Sequence, residues 1–402
     1  MALYLAAFVA VLGFSLISPI LPVYIVDLGA SYKLLGVTVA VYGAVQLLTQ
    51  IPCGKLSDRI GRKKLILAGM LIFALLAPLY VRAENAYWII LLRIFGGLGS
   101  SMVWPIAMAM VIDKASVSRR GWAMGWYNAA LYSAFAVGPA IGGGLYDFMG
   151  LGAPFYFWSA LSLISLLIVF YMVEEPQNIA SPSRHERSGE STGCSISRSI
   201  LSKNTSLIQD GYLLAFAACC TVVVWTGLIA GFNMTLLPNY ANQLKFSSTE
   251  IGLLYFAFAG TTALSNVYFG KRSDRGGRKA MIFVGTILGA LSFLLLTLAN
   301  SSVVLMMVMA VLGFSLGMET PASSAIVADI SNPERRGEIF GIFNTARILG
   351  MVIGPLIAGV SADAYGIEGS LSIFMFIGIV VTLGTLMVRD PGRTKTESDM
   401  IP

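Results

Sequence analysis

The stretch that decides the fold reads GKLSDRIGRKK and runs from Gly54 to Lys64. A second copy, GKRSDRGGRK, runs from Gly270 to Lys279, 216 residues further along the chain. Each copy stands between two long uncharged runs. Membrane topology needs only Lys and Arg in such a loop. The Gly, Asp and Gly at fixed spacing therefore indicate a loop with a structural role of its own, present twice.

The same offset matches other residues of the two halves. The further pairs are Leu21-Pro22 with Leu237-Pro238, Pro105 with Pro321, Asp113 with Asp329, Asn128 with Asn344, Gly138-Pro139 with Gly354-Pro355, and Asp147 with Asp363. One constant offset across loops and helices predicts two copies of one unit. Each half of the chain holds six of the membrane spans given below, an even number. The copies therefore share one orientation and are related by an axis along the membrane normal.

The composition predicts a membrane protein, because 56% of the residues are hydrophobic and only 12% are charged, against about 25% charged in soluble domains. Uncharged runs of about 20 residues, the length of a spanning helix, recur along the chain. The predicted spans are 1–26, 34–54, 65–81, 94–112, 121–146, 148–173, 211–244, 251–270, the two parts of 280–318 divided at Asn300, 339–362 and 369–388. The expected fold is an all-α membrane protein with twelve transmembrane helices in two parallel, pseudo-symmetric six-helix bundles.

Four segments follow from this pattern. We expect an N-terminal bundle at 1–175, a polar, Ser-rich cytoplasmic linker at 176–209, a C-terminal bundle at 210–390 and a cytoplasmic tail at 391–402. The only histidine, His185, falls in the linker, where an exposed chain cannot hold a site rigidly. The four cysteines have neither metal-ligand nor disulfide spacing. We therefore expect no cofactor and no metal.

The basic residues predict the orientation. Of 27 Lys and Arg, three lie in outer loops (Lys33, Arg82 and Lys245) and two lie within spans (Arg93 and Arg347), which leaves 27 − 3 − 2 = 22 on the other side. Basic loops mark the cytoplasmic side. We expect a multi-pass protein of the plasma membrane with both termini in the cytoplasm. The net charge of +6 then reflects topology and does not indicate nucleic-acid binding.

The repeated loop resembles the signature loop of the major facilitator superfamily, and the resemblance covers essentially the whole chain outside the linker. It implies a secondary transporter in which the loop Asp docks against the facing half and locks the cytoplasmic side of the outward-open state. We also expect Arg62 and Arg278 to pair with Asp113 and Asp329. The expected gate residues are Gly54, Asp58, Arg59, Gly61, Arg62, Asp113, Gly270, Asp274, Arg275, Arg278 and Asp329. Gly54 would allow close helix contact, and Gly61 a turn with positive φ.

Two further patterns resemble motifs of this superfamily. The fifth span, with Gly125, Gly138, Pro139, Gly142 and Gly143, resembles its antiporter motif with Ala134 in place of one Gly. The eleventh span repeats the motif with Gly354 and Pro355. The resemblance implies antiport. The alternative is that these residues serve helix packing alone, since Gly at four-residue spacing makes a flat helix face.

The fourth span carries Arg93, Gly97 and Gly99 and resembles the Arg-x-x-Gln-Gly-x-Gly motif, with Gly96 in the place of Gln. The resemblance implies a role for Arg93 in proton coupling. The alternative is that the side chain reaches toward the outer interface.

Two charges, Glu319 and Arg347, lie about 15 Å and about 13 Å from the cytoplasmic ends of their spans at 1.5 Å per residue. Both fall near the middle of a core about 30 Å thick, where transporter sites lie. Their counterparts in the repeat are Val103 and Leu131, so these charges belong to one half alone. We expect Glu319 to bind protons or cations; a structural ion pair with Arg347 is the alternative. Further candidates for the cavity lining are Trp104, Tyr127, Asn128, Trp225, Asn233 and Asn344.

These features predict a proton-coupled antiporter that exports small organic compounds, drug-like or amphipathic, with a resemblance to the twelve-helix drug:proton antiporters. One alternative is a symporter or uniporter for a metabolite such as a sugar or an organic anion. Another is a membrane sensor on the same fold that transports nothing. An enzyme is not expected, because no nucleophile–base set appears. The expected partners are a small-molecule substrate, protons and the lipid bilayer, with the protein as a monomer.

Overall fold

The computed structural model describes residues 2–116, 120–175, 208, 212–273, 277–332 and 335–388. The predicted linker (apart from Ile208), the tail at 391–402, and Asp274 and Arg275 therefore lie outside the described residues. The N-terminal half comprises α1 (Ala2–Leu16, continued by Leu21–Asp27), α2 (Tyr32–Ile60), α3 (Arg62–Val81), α4 (Ala86–Lys114), α5 (Arg120–Met149) and α6 (Gly152–Met172). The C-terminal half comprises α7 (Leu213–Thr235, continued by Leu237–Gln243), α8 (Ser248–Ser273), α9 (Arg278–Thr297), α10 (Ser302–Ile330) and the run Arg336–Thr385, which Gly366 divides into α11 and α12.

The described helices account for the twelve predicted spans. Ten segments are long and apolar enough to cross a membrane by length and composition. The longest of them, Glu338–Thr385, is two spans, because Gly366 breaks it with a φ of 75°. The remaining span is α5, which has 30 residues and carries no charged side chain from Gly121 to Tyr146. The prediction of twelve helices is confirmed.

Local sequence explains where the helices break. The first and seventh spans each end in a short separate helix that starts at Leu21-Pro22 or Leu237-Pro238, since Pro suits the first turn of a helix and not its interior. The break predicted at Asn300 is confirmed. There the Ser301 side chain accepts a hydrogen bond from the backbone N–H of Val304 at 3.3 Å and starts α10, the usual role of Ser before a helix.

Each half has a hydrophobic core of its own. The largest cluster of buried side chains in the N-terminal half lies within residues 3–173, and two further clusters lie within residues 216–388. In the N-terminal half α1 packs on α5 and α6, and α2 packs on α4. In the C-terminal half α8 packs on α10 in the same way as α2 on α4. The two bundles therefore repeat one internal arrangement, as the offset predicted.

The halves touch mainly along two helix pairs, α2 with α11 and α5 with α8, and less extensively between α2 and α7 and between the short helices Leu21–Asp27 and Leu237–Gln243. We call the end where α2 joins α3 at Gly61 the motif end, and the end where α1 joins α2 at Gly29 the far end. The contacts cluster toward the far end, where a Cβ added at Gly36 would collide with the carbonyl oxygen of Pro355, and one at Gly252 with that of Pro139.

Toward the motif end the same helices are apart. A Cβ added at Gly54, Gly125, Gly270 or Gly341 would meet no heavy atom within 4 Å in the described part of the chain. The close helix contact expected at Gly54 is therefore not made in this conformation, because the described residues of the two halves meet near the far end.

Candidate functional site

The repeated loop begins α3 in one half and α9 in the other. Gly61 has a φ of 109° and Gly277, its counterpart, a φ of 77°, so both occupy the conformational region that favours glycine. Arg62 forms an ion pair with Asp113 at the end of α4, and Arg278 forms one with Asp329 at the end of α10. These pairs join neighbouring helices within each half.

Asp58 stands at the edge of this arrangement. Its side chain is 63% exposed, and a carboxylate oxygen lies 3.4 Å from Nη2 of Arg62. Arg59, next to it in the last turn of α2, is also exposed. In this conformation Asp58 thus interacts with its own half of the molecule.

Sequence reasoning missed Glu175, which completes the start of α3. Its carboxylate accepts hydrogen bonds from the backbone N–H groups of Arg62 at 2.6 Å and Lys63 at 2.9 Å. The first N–H groups of a helix have no partner inside the helix, and the positive end of the helix dipole favours an anion there. The signal available in the sequence was an acidic residue directly after the sixth span.

The antiporter-like glycines lie at helix contacts. A Cβ at Gly138 or Gly142 would collide with Ser15 or Leu16 of α1, and one at Gly143 would collide with the carbonyl oxygen of Ser248 in α8. In α11, Gly350 and Gly354 lie against α7 in the same manner, and Gly359 lies against α2. Hence Gly138, Gly142, Gly350 and Gly354 allow close packing inside their own bundles. Gly143 and Gly359 allow the same two helices to approach the facing bundle.

Arg93 is buried in the N-terminal bundle, with 8% of the residue exposed. Its guanidinium carbon lies 5.3 Å from the centroid of the Tyr42 ring, and its Nε has no hydrogen-bond partner among the described residues. The side chain therefore rests on an aromatic face inside the bundle instead of reaching to the interface. A cation over such a ring is attracted by its negative face.

Glu319 is fully buried, and neither of its carboxylate oxygens has a hydrogen-bond partner in the part of the chain that the structure describes. Arg347 is exposed, and its Nη2 donates to Oδ1 of Asn344 at 3.1 Å. The ion pair that the sequence allowed between Glu319 and Arg347 is thus not formed. Glu319 on α10 and Arg347 on α11 lie at similar depth, but the Glu319 side chain points into the bundle core and the Arg347 side chain points away from it.

Glu319 also replaces an apolar residue of the repeat. A Cβ added at Gly285 in α9 would lie 3.1 Å from Cβ of Glu319, and one added at Gly69 in α3 would lie 2.7 Å from Cγ2 of Val103. Val103 is fully buried as well. The carboxyl group therefore occupies a core position between α9 and α10 that the other half fills with a hydrocarbon side chain.

The remaining candidates fall into two groups. Tyr127, Trp225 and Asn233 are buried within their bundles, so the expectation that they line the cavity is not met in this conformation. Tyr127 instead donates to the carbonyl oxygen of Trp104 at 2.9 Å. Trp104 is half-buried, with its ring 5.5 Å from that of Phe14.

Asn128 and Asn344 are exposed and lie on equivalent faces of α5 and α11. Each stands eleven residues, or about three helical turns, before the Pro whose carbonyl group meets the facing half. Since three whole turns return to the same side of a helix, both asparagines face the other half where the halves are apart. Asn344 brings Arg347 to this face through their hydrogen bond.

Comparison with known proteins gives the family. The family model described as Major Facilitator Superfamily matches residues 3–233 and 219–401. Multidrug resistance protein 2 of Bacillus subtilis is 26% identical over 381 residues, which cover 94% of this chain and 91% of that protein. Quinolone resistance protein NorA of Staphylococcus aureus is 27% identical over 379 residues, which cover 94% of this chain and 92% of that protein.

A solved structure has the same fold. It is a bacterial homolog to the human lysosomal transporter Spinster, in an inward-facing and occupied conformation, and it matches with a TM-score of 0.79 at 14% identity over 96% of this chain and 95% of that one. Twelve spans, two bundles of one design and a family match over both halves lead to one conclusion. The chain belongs to the major facilitator superfamily and is an integral membrane transporter.

Proposed function

We propose that this protein is a proton-coupled antiporter that exports small, amphipathic organic compounds across the plasma membrane by alternating access. Glu319 carries the proton in this mechanism. The two halves rock against each other and expose the space between them to one side of the membrane at a time.

The distribution of Lys and Arg supports a cytoplasmic motif end. With that orientation, the described conformation has its halves in contact on the outer side and apart on the cytoplasmic side. It is the inward-facing state of the cycle, ready to receive a solute from the cytoplasm or to release a proton there. Asn128, Asn344 and Arg347 face the open side and are the polar groups that a solute meets.

The observation that carries the proposal is the unpartnered, fully buried carboxyl group of Glu319. Ionising a carboxyl group in apolar surroundings without a partner is costly, so Glu319 holds a proton in this conformation. Polar and ionisable groups inside a membrane protein are usually functional. Release of the proton to the cytoplasm from this inward-facing state requires a local change around Glu319, and the arrival of the solute or of water from the open cytoplasmic side supplies it.

Other features support export in preference to uptake. The glycine pattern of α5 and α11 resembles the antiporter motif. Two relatives that match nearly the whole chain are named as a multidrug resistance protein and a quinolone resistance protein. We assign Arg93 to proton coupling as well, because it is a buried cation without a carboxylate partner among the described residues. In the outward-facing state Asp58, here exposed, docks against the facing half and holds the cytoplasmic side shut.

The test is a transport assay in proteoliposomes with an imposed pH gradient and a fluorescent amphipathic dye. We expect Glu319→Gln to insert and fold normally but to lose uphill, gradient-driven transport, while facilitated exchange of dye persists. The matched control is Glu368→Gln, which removes an exposed carboxylate of the same half.

Full gradient-driven transport by Glu319→Gln would refute the role of Glu319. Dye movement that ignores the gradient in the unmodified protein would instead indicate a uniporter. No movement of any offered solute, together with no ligand-driven change in cavity accessibility, would indicate a sensor.

A further inference from the structure

Four hydrogen bonds from backbone N–H groups near the far end connect the two halves in a symmetric pattern, beside a side-chain bond from Nε2 of Gln243 to the hydroxyl of Tyr32 at 3.0 Å. Asp363 of α11 accepts hydrogen bonds from the backbone N–H groups of Tyr32 at 2.8 Å and Lys33 at 3.0 Å, at the start of α2. Asp147 of α5 accepts hydrogen bonds from the backbone N–H groups of Ser248 at 3.1 Å and Thr249 at 2.7 Å, at the start of α8. In both cases a carboxylate of one half caps a helix of the other half.

The positions of all the partners follow the repeat. Asp147 and Asp363 are 216 residues apart, as are Tyr32 and Ser248, and Lys33 and Thr249. The two caps are therefore one device, built twice and related by the axis between the halves. The caps differ in the number of their hydrogen bonds, because the Thr249 hydroxyl donates a third one to Asp147 at 2.7 Å, whereas Lys33 stands at the matching position of the other cap.

The start of each helix is completed only by this contact. Ser31 and Ser247, the residues before α2 and α8, accept the N–H of the third helical residue at 3.2 Å each. The first two N–H groups have no acceptor inside their own helix, and the carboxylate from the facing half takes both. An anion at this position also interacts favourably with the positive end of the helix dipole.

The close approach of the helices makes these bonds possible. Gly143 and Gly359 leave room for the carbonyl groups of Ser248 and Tyr32, which any larger side chain would displace. Each glycine lies four residues before the aspartate of its helix, so one turn of helix provides both the backbone contact and the cap. The glycines permit the approach, and the carboxylates make it specific.

We propose that Asp147 and Asp363 form the outer gate of the transporter, as a pair of latches that hold the outer side closed in the inward-facing state and release when the halves separate there. This inference rests on the alternating access proposed above. When the outer side opens, the hydrogen bonds between each carboxylate and its pair of N–H groups break, and these groups form hydrogen bonds with water instead. The latches thus stabilise one of the two states by contacts that the other state lacks, which is the requirement for a group that shifts a conformational equilibrium.

The test measures distances between spin labels in the purified protein, with its four native cysteines replaced by alanine. Labels at Tyr87 and Leu298, which are 72% and 65% exposed, report on the outer side. Labels at Trp122 and Leu213, which are 65% and 68% exposed, report on the cytoplasmic side. No substrate or proton gradient is applied, so the result for the latches stands whether or not proton-coupled export is confirmed.

We expect Asp147→Asn and Asp363→Asn each to raise the ratio of outward-open to inward-open protein roughly fivefold, since each loses a charge from a helix N-terminus and one acceptor. The double variant should raise it roughly 25-fold if the two latches act independently. The outer distance should lengthen while the cytoplasmic distance shortens. Thr249→Val, which removes only the third hydrogen bond of one latch, should give a smaller shift in the same direction.

The control is Glu84→Gln, which removes an exposed carboxylate near the same membrane surface. Unchanged distance distributions in the double variant would overturn the proposal, and so would an equal shift in Glu84→Gln, which would mean that surface charge alone sets the ratio. If the double variant fails to insert, the single variants and Thr249→Val decide the matter, since an unshifted ratio in all of them is equally fatal.

Discussion

Replacement of Glu319 by Met should make the protein more stable while it destroys its proposed function. The position is a core site by every structural measure: the residue is fully buried, it lies against Gly285 of the neighbouring helix, and its counterpart in the other half is Val103. Met has nearly the length of Glu and no group that needs a hydrogen bond, and swaps that conserve volume disturb packing little.

The expected gain follows from the missing partners. A buried polar group without a hydrogen-bond partner costs about 1–3 kcal/mol, and Glu319→Met removes this cost. With an unfolding entropy of about 2.1 cal/mol/K per residue, and a C-terminal half that unfolds as one unit, the melting temperature should rise by roughly 3–8 °C. Stabilisation combined with loss of activity is the usual result when a costly functional group is removed.

Thermal unfolding in detergent, followed by tryptophan fluorescence, measures this shift, and the proteoliposome assay measures the loss of transport. The reverse change in the other half, Val103→Glu, is the matched control and should lower the melting temperature by a similar amount. A melting temperature of Glu319→Met that falls below that of the unmodified protein would refute the reasoning, because it would mean that the carboxyl group makes a stabilising contact.

Two further predictions concern the packing and capping of the N-terminal half. Gly142→Leu should prevent correct folding, because its side chain would collide with the backbone of Leu16, whereas Gly144→Ala, whose Cβ has only ordinary contact distances, should fold; monodisperse elution on size-exclusion chromatography distinguishes them. Glu175→Gln should lower the stability of the protein by about 1 kcal/mol, since the start of α3 loses its anionic cap, and thermal unfolding measures this. An unchanged melting temperature for Glu175→Gln, or a well-behaved Gly142→Leu protein, would contradict these assignments.

The spans and the repeat were open to prediction because hydropathy and register are properties of the linear sequence. Even the break at Asn300 followed from turn-forming residues alone. Side-chain direction was not open to prediction: Glu319 and Arg347 lie at similar depth, and only the packing of their helices shows that one is buried and the other exposed. Asp147 and Asp363 were visible as a repeated pair, but their partners lie on the opposite half, so no local signal could assign their role.

A carboxylate that caps a helix N-terminus has one of two effects in this molecule. The effect depends on whether the carboxylate and the helix belong to the same half. Glu175 caps α3 from within the same bundle, so a rigid-body movement of the halves leaves that cap intact, and its effect is confined to stability. Asp147 and Asp363 make the same type of cap across the boundary between the bundles. Because a movement of the halves must break these two caps, their free energy contributes to the balance between the two states. A carboxylate at a helix N-terminus is therefore a structural element within a half and a switch element between the halves.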